Sequence, residues 1–434
     1  MANHEAGGPR RLLLLAQPNS YRIAPYLVAA QAMGLHVLIG SRGRHSLTTE
    51  VSQGLHLDLD DHDAALAAIV DEARSQAFAG IIGSDDSTVE LAARAASRLG
   101  LPHNPPRAAR HSRRKDLSRA HLALAGCPVP IHCLVDLTRP LERQMAGLPW
   151  PCVLKPLNMS ASRGVIRADD EQAFIAACER IRPIVAESAD EFEQSHLLVE
   201  DYIDGVEVAF EGYLHDGELR QLALFDKPDP LTGPFFEETI YVTPSGLPAS
   251  AQRRIFASVA AACAALGLVT GPVHAELRVN SDNAWILEVA SRNIGGDCAR
   301  MLDNGTRFSL EELSVALAIG QAVEPEPLPG SRGVMMIPIR KGGLLRRVEG
   351  VLAASSVPCV EKIDIAIPEG HELIPLPEGN QYLGFIFASA ETPGEVEQAL
   401  RDAHARLEFV TAPVFRIADR EEILPQRRRD HAED

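Results

Sequence analysis

In the stretch GPVHAELRVNSDNAWILEVASRNIGG, Gly271 to Gly296, Glu276 and Glu288 flank a polar NSDN break. Val273, Ala275, Leu277 and Val279 alternate with His274, Glu276 and Arg278. Beyond the break, Trp285, Leu287 and Val289 alternate with Ile286, Glu288 and Ala290. That two-residue period predicts a β-hairpin. With both apolar sets on one face, paired residue numbers sum to an even value, and a loop centred near Asp282 sets Glu276 opposite or diagonal to Glu288. Like charges so placed repel unless a divalent cation with oxygen ligands sits between them. A solvated outer face is the alternative.

Other residues carry chemistry of a compatible kind. In PCVLKPLNMSASRGV an apolar strand delivers Lys155 to a loop of small residues, Ser160, Ala161 and Ser162, followed by Arg163 and Gly164. Small residues let backbone N–H groups approach phosphate oxygens, and the lysine and arginine supply charge; a solvated lysine at a strand end is the plainer reading. In LLVEDYIDGVEV a strand runs into Glu200 and Asp201, bends near Gly205 and continues through Glu207, a hinge able to receive an amino group and hydroxyls or simply to face water. Arg292 follows Glu288 by one helical turn's spacing, with Gly295 and Gly296 just after, a combination suited to a planar anion approaching closely.

These groups need elements to hold them. The apolar runs from Leu12, Leu35 and Ala79 alternate with alanine-rich helical segments at 23–33, 62–77 and 87–99, a βαβαβ unit with a parallel sheet that closes near Pro106. From 107 to 320, strands mix with helices at about 170–182 and 248–267, which reads as α+β. The Pro- and Gly-rich segment 321–332 is a linker. A third α+β region covers 333–424, with a helix from Pro393 to about Leu407, and a mobile tail occupies 425–434.

Composition bounds the partners. The 434 residues are 46% hydrophobic and 23% charged, ordinary for a globular protein. A net charge of −17 argues against nucleic acid or an anionic membrane as partner. The apolar run after Arg10 and Arg11 is too short for a signal peptide, and no run is long enough to span a bilayer. Seven cysteines without CxxC spacing read as reduced thiols of a cytoplasmic protein. The chain lacks GxxxxGK(S/T), GxGxxG after the first strand, HExxH and GxSxG.

The ordered set of Lys115 in RRKDLSRAHLALAGCPVP, Lys155 before its small-residue loop, VEDYIDGVEV, HAELRV and LEVASR resembles the ATP-grasp superfamily across nearly the whole chain. The resemblance implies an ATP-grasp fold, α/β and α+β, with an N-terminal parallel-sheet domain and a C-terminal lid-like α+β domain. It implies that Lys115 and Lys155 contact ATP phosphates under the loop Ser160–Gly164, with Ser162 and Arg163 part of that cover. It implies that Glu200, Asp201 and Ile203 line the adenine pocket, that Glu207 holds the ribose, that Glu276 and Glu288 carry Mg²⁺ or Mn²⁺, and that Arg292, with Lys155, stabilises the reacting phosphoryl group. Ala290 stands where many members of the superfamily have a metal-binding asparagine. That variant, and DKPDPLTGPFFEETIYVTPSGLP, resemble the branch that ligates amino acids.

The implied activity is ATP-dependent joining of an amino acid or related carboxylate to an amine through an acyl phosphate, releasing ADP and phosphate. A carboxylase or purine-pathway enzyme activating bicarbonate or formate is the runner-up, and a non-catalytic nucleotide-binding regulator a third reading. Substrate candidates are Asp85 at the end of the third strand, Glu237 and Glu238 as ammonium partners, His274 on the glutamate face, and Gly295 and Gly296 beside Arg292. A capping box of Ser87 with Glu90 explains the Asp85 cluster equally well. The partners are small molecules, and the reading admits a homodimer.

Overall fold

The computed structural model describes residues 10–18, 20–42, 53–303, 308–326 and 329–414. The tail 425–434 and two residues of the expected linker lie outside them. Leu12 to Leu15 are fully buried, as an unalternating apolar strand must be when both faces are covered. This strand, β1 (Arg11–Leu15), pairs in parallel with β2 (His36–Ser41) and β4 (Phe78–Gly83), and β3 (Gln53–His56) lies outside β2. Helices α1 (Ile23–Ala32), α2 (His62–Ser75) and α3 (Val89–Leu99) end close to their expected bounds. β3 was not expected, because QGLH offers no apolar run. At the start of α3 the expected capping box does not form. Thr88 is the cap residue with no side-chain cap bond, and Asp85 instead accepts from the Ser87 amide at 3.0 Å.

Helices α4 (Pro106–Arg113) and α5 (Lys115–Leu124) lead to a second sheet. Its strands are β5 (His132–Asp136), β6 (Cys152–Pro156), β7 (Ile166–Ala168) and β8 (His196–Asp201), in the order β5-β8-β6-β7, with α6 (Glu171–Val185) packed on β6 and β7. A third sheet takes β9 (Val206–His215), β10 (Glu218–Asp226), β11 (Ile240–Thr243), β12 (Gly271–Val279), β13 (Ala284–Ala290) and β14 (Ser331–Ile337). In the C-terminal region, β15 (Gly343–Glu349), β17 (Glu372–Leu373) and β19 (Glu408–Ala412) make a small sheet, while β16 (Val360–Ile365) and β18 (Gly384–Ala390) join the large one. The large order is β13-β12-β9-β10-β11-β14-β18-β16, so one eight-stranded sheet runs through both the second and third regions of the sequence.

The hairpin departs from strict alternation in an informative way. Glu276 pairs with Glu288, but Leu277 pairs with Ile286, so Leu287 is an extra residue on β13. A bulge reverses the facing of everything beyond it. Ala284 and Ile286, rather than Trp285 and Leu287, therefore join Val273, Ala275, Leu277 and Val279 in the core beneath the helix Ala249–Leu266. Leu287 faces the cavity instead. The expected even-numbered register holds at the two glutamates and fails beyond them.

Between β8 and β9 the chain passes from one sheet to another at Gly205, whose φ is +111° and where a Cβ would lie 2.4 Å from the Val279 carbonyl oxygen. Gly205→Ala is expected to cost at least about 2 kcal/mol, read as a lowered urea midpoint, from left-handed strain and the backbone clash together.

Candidate functional site

A cavity of about 1110 Å³ is lined by residues of the eight-stranded sheet and of the sheet β5-β8-β6-β7, and by the loops that follow β1 and β4. Lys155, on β6, reaches Glu200 Oε2 at 2.6 Å. The other oxygen of Glu200 accepts from Arg119 of α5. Burial opposes the charge on Glu200, yet Arg119 and Lys155 hold its carboxyl down to about 2. The glutamate is 1% exposed, so its carboxylate is spent on orienting Lys155. Arg119 also donates to the carbonyls of Ile286 and Leu287, each at 2.7 Å, which ties α5 to β13 just before Glu288.

Lys115 opens α5 and donates to the Met159 carbonyl at 2.7 Å, with Glu288 Oε2 at 3.3 Å. Glu276 and Glu288 are direct cross-strand partners, both part of the cavity wall. Glu276 has further company. Lys227, which follows β10, is 3% exposed at its side chain and lies 2.9 Å from Glu207, 3.1 Å from Glu276 and in contact with Glu238. Oxygens of these three glutamates lie within 4.8 Å of one another. Burial together with Glu276 and Glu207 pushes Glu238 up to about 7 against the pull of Lys227. Burial likewise opposes charge on Glu276, but Lys227 and His274 hold it well below the usual range. His274 is hydrogen-bonded to Glu211 at 3.0 Å and lies 3.7 Å from Glu276; burial disfavours its charge, and these two carboxylates raise it to about 9.

Arg292 donates to Asp86 at 3.0 Å and to the Asn293 carbonyl at 3.1 Å, with Glu288 4.0 Å away. Asp85 spends its carboxylate on Ser84 and Ser87, so Asp86 is the residue of that loop that meets the arginine. Gly295 and Gly296 follow on the cavity wall, as do Asp201, Ile203 and Glu207 at the β8–β9 hinge. Asp201 Oδ1 is buried without a partner among the described residues. Arg278 clamps the hinge, donating to Glu207 at 3.0 Å, to the Tyr202 hydroxyl at 2.9 Å and to the Ile203 carbonyl at 3.0 Å.

Three of the expected residues point elsewhere. Glu237 accepts from the Ile339 amide at 3.1 Å, and burial raises its carboxyl. Arg163 forks onto Glu187, both bonds at 2.8 Å, and donates to the Glu378 carbonyl at 2.9 Å. The Gly164 amide donates to the Pro377 carbonyl at 2.8 Å. Ser160 and Ser162 do line the cavity. Ala161 and Ser162 adopt φ of +55° and +54°, each costing roughly 1–2 kcal/mol for a residue with a side chain. The loop is thus fastened at its far end to the C-terminal region, where Glu378 also pairs with Arg180 at 2.6 Å. Arg163→Ala, which removes the side-chain fastening, is expected to change stability by less than about 1 kcal/mol, since its partner Glu187 is largely exposed, while speeding limited proteolysis within 157–163.

Lys227, Arg278, Asp86 and Glu211 went unrecognised in the sequence. Only Lys227 had a local signal: it ends an apolar strand in DKPDP, where a lysine has no reason to be buried unless acids converge on it.

Against known proteins, residues 148–301 match the ATP-grasp domain, residues 27–103 the ATP-grasp N-terminal domain, and residues 335–412 the L-amino acid ligase C-terminal domain 2. An uncharacterized protein, y4rH, of Sinorhizobium fredii is 21% identical over 97% of this chain and 87% of its own. The alanine–anticapsin ligase of Bacillus subtilis is 28% identical over 54% of each chain, so the match spans about half of that ligase. Among solved structures, an L-amino acid ligase from Bacillus licheniformis superimposes with a TM-score of 0.77 at 23% identity, covering 93% of this chain and 99% of that one, a likeness of fold.

Proposed function

We propose, since the chain belongs to the ATP-grasp superfamily, that it is an ATP-dependent ligase joining an amino acid to an amine-bearing substrate through an acyl phosphate. The observation that carries this reading is the convergence of Lys115, Lys155, Glu276, Glu288 and Arg292 on one cavity. The residues fit the groups they would hold. Lys115 and Lys155 suit the phosphates of ATP, Ser160 and Ser162 its cover, and Asp201, Ile203 and Glu207 its base and ribose; the unpartnered Asp201 oxygen is an acceptor awaiting a donor. Glu276 and Glu288 offer oxygen ligands from one face to Mg²⁺ or Mn²⁺. Described residues between 17 and 86, between 115 and 300 and between 336 and 385 all contribute walls.

When bound, ATP supplies the phosphoryl group and the metal neutralises charge on it, which turns a carboxylate into a group an amine can displace. The chain's own residues set the stage. Glu200 and Arg119 fix Lys155, and Asp86 fixes Arg292, so both cations are oriented before any anion arrives. The amine then attacks the carbonyl carbon, and phosphate leaves.

The test is purified protein with ATP, Mg²⁺ and pooled amino acids, read for phosphate and nucleotide. ADP with phosphate and an amide product is the expected result. AMP with pyrophosphate contradicts the acyl phosphate, and turnover with bicarbonate alone moves the assignment to a carboxylase.

A further inference from the structure

Glu211, on β9, is a fully buried carboxylate that the chemistry above leaves without a task. Its two oxygens are divided. Oε2 meets His274 Nδ1 at 3.0 Å, and Oε1 accepts from the Ile294 amide at 3.0 Å. His274 stands two residues before Glu276, and Ile294 two residues after Arg292. One side chain therefore touches both the strand that delivers a metal-facing glutamate and the turn that delivers the arginine. His274, Glu276, Arg292 and Ile294 line the cavity, and Glu211 stands behind them. It can act there only through its neighbours.

The strand ladder explains this reach. Across β9, β12 and β13 one row of partners is Glu211, His274 and Ala290, and the next is Ala209, Glu276 and Glu288. Residues two apart on a strand share a face, so Glu211 and His274 lie on the face of the two glutamates. The row ends on an alanine, so β13 contributes no polar group to it. Stability does not account for the arrangement. Among the described residues the one ion pair of Glu211 is with His274, and a buried pair often holds a fold no better than well-packed apolar side chains of like size. What a carboxylate behind a metal ligand supplies is direction. His274 Nε2 lies 3.7 Å from Glu276 Oε1, the oxygen that Lys227 meets at 3.1 Å, so the ring's orientation bears on where that carboxylate points. In the turn, Arg22 donates to the carbonyls of Asn293 at 3.3 Å and Ile294 at 2.8 Å while Glu211 holds the Ile294 amide, which grips the turn by both of its polar edges.

We propose that Glu211 is a positioning residue that sets the metal-facing Glu276 and the anion-facing Arg292 in one frame, and so fixes the span across which the phosphoryl group is transferred. A shift of either group alone would spoil the alignment that such a transfer needs. What is positioned rests on the ligase reading; the tie that Glu211 makes between β12 and the turn does not.

The experiment compares the full chain with Glu211→Gln, which keeps the volume but not the charge, Glu211→Asp, which keeps the charge but falls short, His274→Gln, and the double variant of Glu211→Gln with His274→Gln. Mn²⁺ binding in the presence of ADP is read by electron paramagnetic resonance, and amide-forming turnover with ATP, Mg²⁺ and pooled amino acids is followed in parallel. In Glu211→Gln, Mn²⁺ should bind about tenfold more weakly and kcat should fall about ten- to a hundredfold, the scale on which a residue behind a metal ligand acts. The KM for ATP should stay within about twofold, because the lysines and the β8–β9 hinge are untouched. Glu211→Asp should lie between. Since the two residues act as a unit, Glu211→Gln should cost less than about twofold in Mn²⁺ affinity once His274→Gln is in place. A purely structural loss would instead raise the KM for ATP and lower the melting temperature together, with costs that add. Unchanged Mn²⁺ affinity in Glu211→Gln, or additive costs in the double variant, would overturn the proposal; should Glu211→Gln not fold, Glu211→Asp takes its place in the cycle. A Glu211-dependent Mn²⁺ affinity in a chain that forms no amide from any amino acid would remove the ligase reading and leave the positioning role standing.

Discussion

Glu288→Gln is expected to lower amide-forming turnover by about 10³-fold, roughly 4 kcal/mol of barrier, while leaving the fold in place. The change removes one of the two cross-strand carboxylates proposed to hold the metal and keeps the side chain's volume. It also removes the ion pair with Lys115 at 3.3 Å and the neighbouring charge of Arg292 at 4.0 Å, but the amide keeps an oxygen that can still accept from both. Two further readouts separate a metal-binding role from a structural one. The Mg²⁺ concentration for half-maximal activity should rise at least about tenfold, the typical cost of disturbing a metal's protein environment, and thermal stability should stay near wild type. Wild-type turnover in this variant would sink the metal assignment.

Lys227→Met is expected to be the most destabilising single change at the site, by about 3–5 kcal/mol, because it removes a buried ammonium shared by three part-buried glutamates. It leaves Glu238 without a cation, while Glu207 keeps Arg278 at 3.0 Å and Glu276 keeps His274 at 3.7 Å. The loss should depend on pH in a definite direction. In the wild type, burial and neighbouring acids push Glu238 up to about 7, above its unfolded value, so the stability this carboxyl contributes is present below about 4.5 and is lost as pH rises through 7. Without the ammonium, Glu238 loses the cation that pulls against this rise, so its contribution keeps its sign and grows. The variant should therefore be weakest near pH 8 and recover toward pH 5. Urea denaturation at both pH values checks this; a deficit that is equal at the two would show that Lys227 acts through packing rather than charge.

Much of the architecture was legible because the relevant signals are local. The buried run at Leu12–Leu15, the alanine-rich helices and the alternation around Glu276 each announce their element within ten residues. The large positions of the candidate site followed from the order of motifs along the chain. What escaped was set by tertiary contact. The bulge at Leu287 changes the facing of β13 without changing its alternation pattern, so residues such as Trp285 and Ile286 exchange faces invisibly. Arg163 and Gly164 lie in the expected loop but are drawn to Glu187 and Pro377, partners that no spacing rule connects. Lys227 is buried only because glutamates from β9, β12 and the segment before β11 meet around it. Asp85, expected to receive a substrate, is consumed by the turn before α3, and its neighbour Asp86 meets Arg292 instead.

The shared eight-stranded sheet constrains how this protein can be dissected. β11 meets β10 at a single residue pair, Asp226 with Val242, but meets β14 at four, from Ile240 with Met335 to Thr243 with Arg332. A fragment ending before β14 would strip β11 of most of its ladder and expose a raw edge prone to self-association. It would also unmoor Glu238, two residues upstream, and with it one wall of the acid cluster. Truncations that trim the C-terminal region should therefore lose the ammonium's surroundings as well as the fold's outer strands, and halves expressed separately should not reassemble a working centre by simple mixing.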